Sequence, residues 1–231
     1  MLGEVVSVLS ASIADFTELE VRLVRTMGKG QETRERLLDI AELSVLAKGF
    51  GATSIEEIIA EAQITKSGFF YHFRDKNELA RALLQRYLDR EDGLLDELFD
   101  RARELHDDPL HAFLIGLKLL AEKMADLPNG HPGCMVAAYC YNERLFDPSV
   151  RSLNRTAVLG WRERFVAALE EIAAVYPPRD DVDLQSVADM VSSTVDGGII
   201  LSKALGEPAV LSKQILLYRS YIKLLFSPTV N

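Results

Sequence analysis

The sequence predicts an all-α protein, on three observations. Apolar residues recur at spacings of three and four, helix start and stop signals punctuate the chain, and no stretch alternates polar and apolar residues as a half-buried strand would. Residues 31–48 place Leu37, Ile40, Ala41, Ser44 and Ala47 on one helical face, and Gly49 follows as a permissive C′ residue. Ser54 with Glu57 three residues on is a capping box, so a short helix over about 55–62 follows. Gln63, Ile64 and Thr65 form a turn, and Thr65 is placed to cap a second short helix over about 66–72. Asp75 or Lys76 starts a long helix to Leu105, stopped by Asp107, Asp108 and Pro109. Further helices are predicted over about 109–127, 133–145, 148–175, 183–205 and 208–226, separated by PNGHPG, DP, YPPRDD and GEP.

Composition narrows the class. The 231 residues are 48% hydrophobic and 26% charged, an ordinary globular balance, and charged residues interrupt every apolar run before it reaches the roughly 18–20 residues of a spanning helix. A cytoplasmic protein with no membrane partner is the expectation. Residues 1–28 lack a basic n-region and carry Asp15, Glu18 and Glu20, which argues against a signal peptide. They read as an N-terminal extension, either an extra amphipathic helix or a poorly ordered arm. Cys134 and Cys140 are too few for a secreted disulfide framework.

The formal net charge of −9 is unevenly placed. Residues 29–90 hold ten Lys+Arg and ten Asp+Glu, whereas residues 91–231 hold fourteen and twenty-one. Phosphate contacts are short-range and screened over about 10 Å at 0.1 M salt, so a nucleic-acid surface needs only a local positive face. Two short helices joined by a tight polar turn, with a helix before and after, form a helix-turn-helix, whose second helix enters the major groove. On that second helix Phe69 and Phe73 are an i, i+4 pair and should anchor inward. Lys66, Ser67 and Gly68 then lie where base edges are read, with Phe70, Tyr71 and His72 toward the backbone. Lys76 opens the following helix, where its charge and the free amides can hold a phosphate.

The span 33–84, with Ala41 to Gly49, Thr53-Ser54, Ile58, Ala62 and Gly68-x-x-Tyr71-His72-Phe73-x-x-Lys76-x-x-Leu79 in register, resembles the DNA-binding domain of the TetR-type (TetR/AcrR) transcriptional regulators. The resemblance implies an all-helical homodimeric repressor that binds double-stranded operator DNA and is released by a small-molecule effector. Carried over by position, it implicates Thr53, Ser54, Thr65, Lys66, Ser67, Phe70, Tyr71, His72 and Lys76 in DNA contact. This sequence departs from the family pattern at Phe70, where Tyr is usual, and at Val45, where Phe is commoner. The implied organisation is an N-terminal helix-turn-helix domain over 29–76 and a C-terminal effector-binding and dimerisation domain over 77–231.

In the body, the segments 183–205 and 208–226 carry wider apolar faces than one core stripe requires, as expected of helices that meet symmetry mates in a four-helix interface. Val191, Val195, Ile199, Tyr218, Ile222 and Leu225 are the candidate interface residues, and the resemblance puts the dimer on these helices too. An apolar cavity with a few polar groups is the default small-molecule site. Its candidate lining is Phe113, Leu117, Leu120, Met124, Met135, Tyr139, Asn142, Trp161, Phe165 and Asp196, for a small, largely apolar effector.

Other chemistries find little support. Cys134 and Cys140 sit six apart, a poor disulfide within one helix. Of the histidines only His131, with Cys134, has a compact ligand spacing, so no metal site and no cofactor are expected. Asp196-Gly197-Gly198 lacks the Lys of a phosphate loop. No nucleophile or acid–base pair of an enzyme is visible. The rival expectation is an all-helical small-molecule-binding or interaction protein without operator binding, which would leave the polar set over 65–76 unexplained.

Overall fold

The computed structural model describes residues 28–227, and the expectation for the N-terminal extension falls outside them save for Gly28. Nine α-helices and one 3-10 turn make up the described chain, with no strand among the described residues. Helix α1 (Lys29–Lys48) ends as Gly49 turns to φ 84°, its amide donating to Val45 O. Its buried stripe is Leu37, Leu38, Ala41 and Val45, while Ala47, assigned to that face from spacing, is exposed.

Local signals place the next three helices. In α2 (Ile55–Ala62) the Ser54 hydroxyl accepts from the Glu57 amide at 3.1 Å and the Glu57 carboxylate accepts from the Ser54 amide at 3.2 Å. Gln63 closes α2 in the left-handed region (φ 53°), and Thr65 caps α3 (Lys66–His72) by accepting from Gly68 N at 3.1 Å. Asp75 caps α4 (Lys76–Leu105), accepting from Glu78 N at 2.8 Å. Each cap supplies an acceptor that the first helical turn lacks, worth about 1 kcal/mol.

The body is α5 (Pro109–Ala125), α6 (Met135–Tyr141), the 3-10 turn Glu143–Leu145, α7 (Pro148–Val175), α8 (Leu184–Leu205) and α9 (Ala209–Phe226). One helix over 133–145 was expected; instead Cys134 is the cap of α6, its sulfur accepting from Ala137 N at 3.4 Å, and the chain tightens after Tyr141. Asp196-Gly197-Gly198 lies inside α8, where a Cβ on Gly198 would stand 2.8 Å from Leu211 Cδ1, so that glycine lets α8 and α9 approach.

The core has three parts. The first joins α1, α2, α3 and the first half of α4, through Leu37, Ile58, Phe69, Phe73, Leu83 and Tyr87, and continues into Met135, Tyr139, Phe146 and Val150. The second gathers Phe99, Phe113, Phe165, Val187, Tyr218 and Ile222. The third holds Leu120, Met124, Ile199, Leu211 and Ile215. Polar ties brace the first part. Tyr139 donates to Ala80 O at 2.7 Å in the interior, and Arg86 reaches from α4 to Glu35, Asp39 and Glu42 of α1. Arg90 also contacts Glu42.

Candidate nucleic-acid interface and interior cavity

Helix α3 is held by its two inward rings. Phe69 and Phe73 are fully buried, 5.7 Å apart between centroids, and Arg34 lies 5.1 Å from the Phe73 ring. That anchoring turns the rest of the helix outward. Tyr71 is 83% exposed and Phe70 43%, and Thr65, Lys66 and Ser67 are exposed beside them. Thr65 and Ser67 hydroxyls lie 3.1 Å apart. Lys66 Nζ is 3.4 Å from Glu56 Oε1 of α2, with both side chains largely in solvent. An exposed pair of this kind is weak and screened by salt, so Lys66 is available to another anion.

Gly68 has an internal reason. A Cβ there would sit 3.3 Å from Thr65 Oγ1 and 3.7 Å from the Ile64 side chain, crowding the hydroxyl that caps the helix.

His72 is half-buried against α1, and burial together with nearby Arg34 pushes its pKa below the usual imidazole value. It is therefore neutral at neutral pH and offers one donor and one acceptor rather than charge. Lys76 donates to Phe50 O at 2.9 Å and stands 4.5 Å from the Phe50 ring, with burial lowering its pKa against the opposing pull of Glu57. It braces the Gly49–Phe50 corner as well as opening α4. Ser54 is half-buried and engaged in the capping box.

Thr53 requires correction. Its side chain is buried, donating to Gly49 O at 3.0 Å and meeting Ser44 Oγ at 3.0 Å, so the hydroxyl faces the α1–α2 corner and not the surface. Arg74, which sequence reasoning passed over, is strongly exposed between α3 and α4 with its Nε 3.3 Å from Asp75. Its position just past the polar set was the available signal.

Away from this face, a cavity of about 80 Å³ opens among α4, α5, α7 and α8 and the segment before α6. Leu120, Met124, Trp161, Phe165 and Asp196 line it, as expected from sequence. Phe113, Leu117, Met135, Tyr139 and Asn142 do not. Leu117, Met135 and Tyr139 are buried in the packed core, the Phe113 ring packs tilted against Phe99, and Asn142 donates to Ala138 O beside the Gly49–Gly51 corner. The lining that was missed includes Tyr87, Glu91, His131 and Cys134.

The cavity is acidic. Burial raises the pKa of Glu91, with Arg90 opposing and Asp92 and Glu42 reinforcing, and burial raises Asp196 against a hydrogen bond from the Cys134 thiol. The thiol itself is pushed up to about 12, chiefly by burial and by Asp196, and stays protonated. His131 is lowered by burial and by Lys203, whose ammonium donates to Pro132 O.

The interface candidates on α8 and α9 are also corrected. Val191, Ile199, Tyr218, Ile222 and Leu225 are buried within the protomer, and Val195 is half-buried against the same core. Tyr218 even donates to Val187 O at 3.0 Å. The uncovered apolar residues are Met190, Ile200, Leu201 and Leu205 on α8 and Leu216, Leu217 and Leu224 on α9.

His106, Asp108 and His111 bring three ligand-type atoms within 4.8 Å of one another, which their sequence spacing did not suggest. Asp108 is already engaged: it caps α5 through His111 N at 2.9 Å, meets His111 Nδ1 at 2.7 Å and accepts from Tyr176 at 2.6 Å. Both cysteines are free, and no helix among the described residues is long and apolar enough to cross a membrane.

The family pattern described as "Bacterial regulatory proteins, tetR family" matches residues 37–83. The chain is 34% identical over 134 residues to the HTH-type transcriptional regulator TtgR of Pseudomonas putida, a match covering 56% of this chain and 51% of that protein. It is 30% identical over 87 residues to the HTH-type transcriptional repressor BepR of Brucella suis, covering 38% and 40%. The chain thus spans about half, or less, of the length of these curated relatives. Among solved structures, a TetR transcriptional regulator from Chloroflexus aurantiacus superposes with a TM-score of 0.69 at 25% identity over 86% of this chain and 98% of the other. The reduced form of NemR from Escherichia coli gives 0.68 at 18% identity over 86% and 100%, a likeness of fold.

Proposed function

The chain is a TetR-type family member by its first domain and by its fold, and from that premise we propose that it is a ligand-responsive repressor acting as a homodimer on a palindromic operator. One observation carries the DNA-binding part. The buried pair Phe69 and Phe73 fixes α3 so that Thr65, Lys66, Ser67, Phe70 and Tyr71 stand together in solvent. Lys66 and Ser67 near the helix start read base edges; Tyr71, neutral His72 and Lys76 hold phosphates, with Arg74 adding charge. Residues 29–76 are the reading head, and 77–231 the body.

The apolar strip of α8 and α9, through Leu201, Leu205, Leu217 and Leu224, supports pairing of two copies across a twofold axis. That pairing sets two copies of α3 about one DNA turn, roughly 34–36 Å, apart. An effector in the cavity releases DNA by favouring a conformer with a different separation, and only its preference for that conformer matters. Tyr87 supports this route, since it lines the cavity and belongs to the same packed core as Phe69 and Phe73.

The test is a gel-shift titration on the DNA beside the protein's own gene and on random duplex, at several salt concentrations. Tyr71→Ala should weaken both, whereas Lys66→Ala should lose more on the operator, by about 1–3 kcal/mol, and relax sequence choice. Equal losses on both duplexes for Lys66→Ala would remove it from base reading. Wild-type affinity that ignores salt would remove DNA binding altogether.

A further inference from the structure

We propose that the interior cavity takes an organic monocation with an apolar, aromatic body, its charge met by Glu91 and Asp196 and its body by Trp161 and Phe165. This rests on the effector reading above and names the chemical class of the effector.

The cavity leaves two acidic groups unanswered. Its walls are mostly apolar, yet two carboxylates from different helices line it, Glu91 from α4 and Asp196 from α8. Neither forms an ion pair among the described residues. The arginine next to Glu91 in sequence, Arg90, is drawn off to Glu42 on α1. The lysine nearest the other side, Lys203, is spent on Pro132 O.

No lysine or arginine lines the space. His131 is held neutral, and Cys134 beside Asp196 is an uncharged thiol. Burying carboxylates without a partner is costly, and burial accordingly holds both groups toward their protonated forms. A cation supplies the missing partner. A neutral guest leaves the cost in place, and an anion adds to it. Two aromatic rings in the lining, Tyr87 and Trp161, favour a positive guest further.

The chain's single tryptophan is Trp161, which lines this cavity and donates to Asp92 at 3.0 Å, so its fluorescence reports on the site directly. The probes are three of similar body and different charge: 2-phenylethylammonium, 2-phenylethanol and 3-phenylpropanoate. They are titrated into the full chain near pH 7.5.

The expected result is an order of cation over alcohol over carboxylate, with the cation about tenfold or more tighter than the alcohol. Glu91→Gln and Asp196→Asn keep shape and remove charge. Each should cut cation affinity about tenfold and leave the alcohol unchanged, and unchanged alcohol binding also certifies the fold. Lowering the pH should weaken the cation and not the alcohol, because protons compete for the two carboxylates and His131 in the lining gains charge as well; Arg90, Asp92, Glu42 and Tyr87 around Glu91, Cys134 beside Asp196, and Lys203 beside His131 are the groups that tune this.

An alcohol that binds as tightly as the cation, or a preference that survives both substitutions, overturns the inference while leaving a ligand cavity in place. Silence of Trp161 to all three probes at millimolar concentration overturns both the inference and the cavity's role. Cation preference without release of DNA in the gel-shift assay sustains the site chemistry and removes the effector reading.

Discussion

Gly116 of α5 lets opposing effects be weighed on one residue. A Cβ built there would lie 2.6 Å from both Cδ1 and Cε1 of Phe99 and 3.1 Å from its Cγ. Ordinary contact begins at 3.4 Å, so the ring must retreat by 3.4 minus 2.6, about 0.8 Å. It has nowhere easy to go: Phe113 and Phe165 stand 5.6 and 5.8 Å away, centroid to centroid, and Phe99 is buried. Replacing glycine by alanine in a helix interior gains about 1 kcal/mol, whereas forcing extra volume into a packed core costs about 1–3 kcal/mol. With a rigid ring on the receiving side the upper part of that range applies, and Gly116→Ala should lose about 1–2 kcal/mol net.

Gly160 of α7, with nothing within 4 Å of its would-be Cβ, is the control, and Gly160→Ala should gain about 1 kcal/mol. Urea denaturation at matched protein concentration reads both, with a midpoint lowered by roughly 0.5 M for the first and raised for the second. Because Phe165 also lines the cavity, Gly116→Ala should weaken the cavity probes too. Equal stabilisation by the two substitutions would refute the claim that Phe99 is hemmed in.

Glu56→Gln removes the carboxylate facing Lys66 and should tighten DNA binding a few-fold at low salt, an advantage that fades as salt rises; weaker binding would mean that Glu56 holds Lys66 in its working position. Leu217→Glu with Leu224→Glu should turn the proposed dimer into a monomer by sedimentation while leaving the helical spectrum intact, and a dimer that survives both charges is not built on this strip. Asp108 is raised by burial but lowered further by Tyr176 and by the His111 amide and ring, to about 2. Its depressed folded pKa means that its stabilising contribution is full above about pH 4 and lost as pH falls through 2, so Asp108→Asn should flatten the acid limb of the stability curve between those values.

The elements legible in the sequence are those with local causes. The Ser54–Glu57 box, the Thr65 cap and the Asp75 start each involve residues within four positions, and the structure forms all three. The inward pair Phe69 and Phe73 could be read from spacing alone. Periodicity does not say which of two apolar stripes meets the protomer's own core, and on α9 Tyr218, Ile222 and Leu225 turned out to be inside while Leu217 and Leu224 are outside. Thr53 failed for a related reason: a hydroxyl at a corner can satisfy the chain or face solvent, and here Gly49 O and Ser44 claim it. The cavity was legible only in fragments because its wall draws single residues from elements more than 100 positions apart, such as Glu91 and Asp196.

The three-part core has a mechanical corollary. Tyr87 and the Cys134 segment pack with the helix-turn-helix side, Phe165 and Val191 with the far bundle, and Leu120, Met124 and Ile199 with the third group, so the cavity sits on the seam where all three meet. Arg86 and Tyr139 weld α1, α6 and the first turns of α4 into one block, and past it α4 is tied to α7 through Asp92 and Asp96, which face Trp161 and Arg164 on either side of exposed Gly93. If the proposed effector and the proposed pairing hold, a guest wedged into that seam would act on the welded block as a unit rather than on the shape of α3, changing the separation of the two α3 helices and not their conformation.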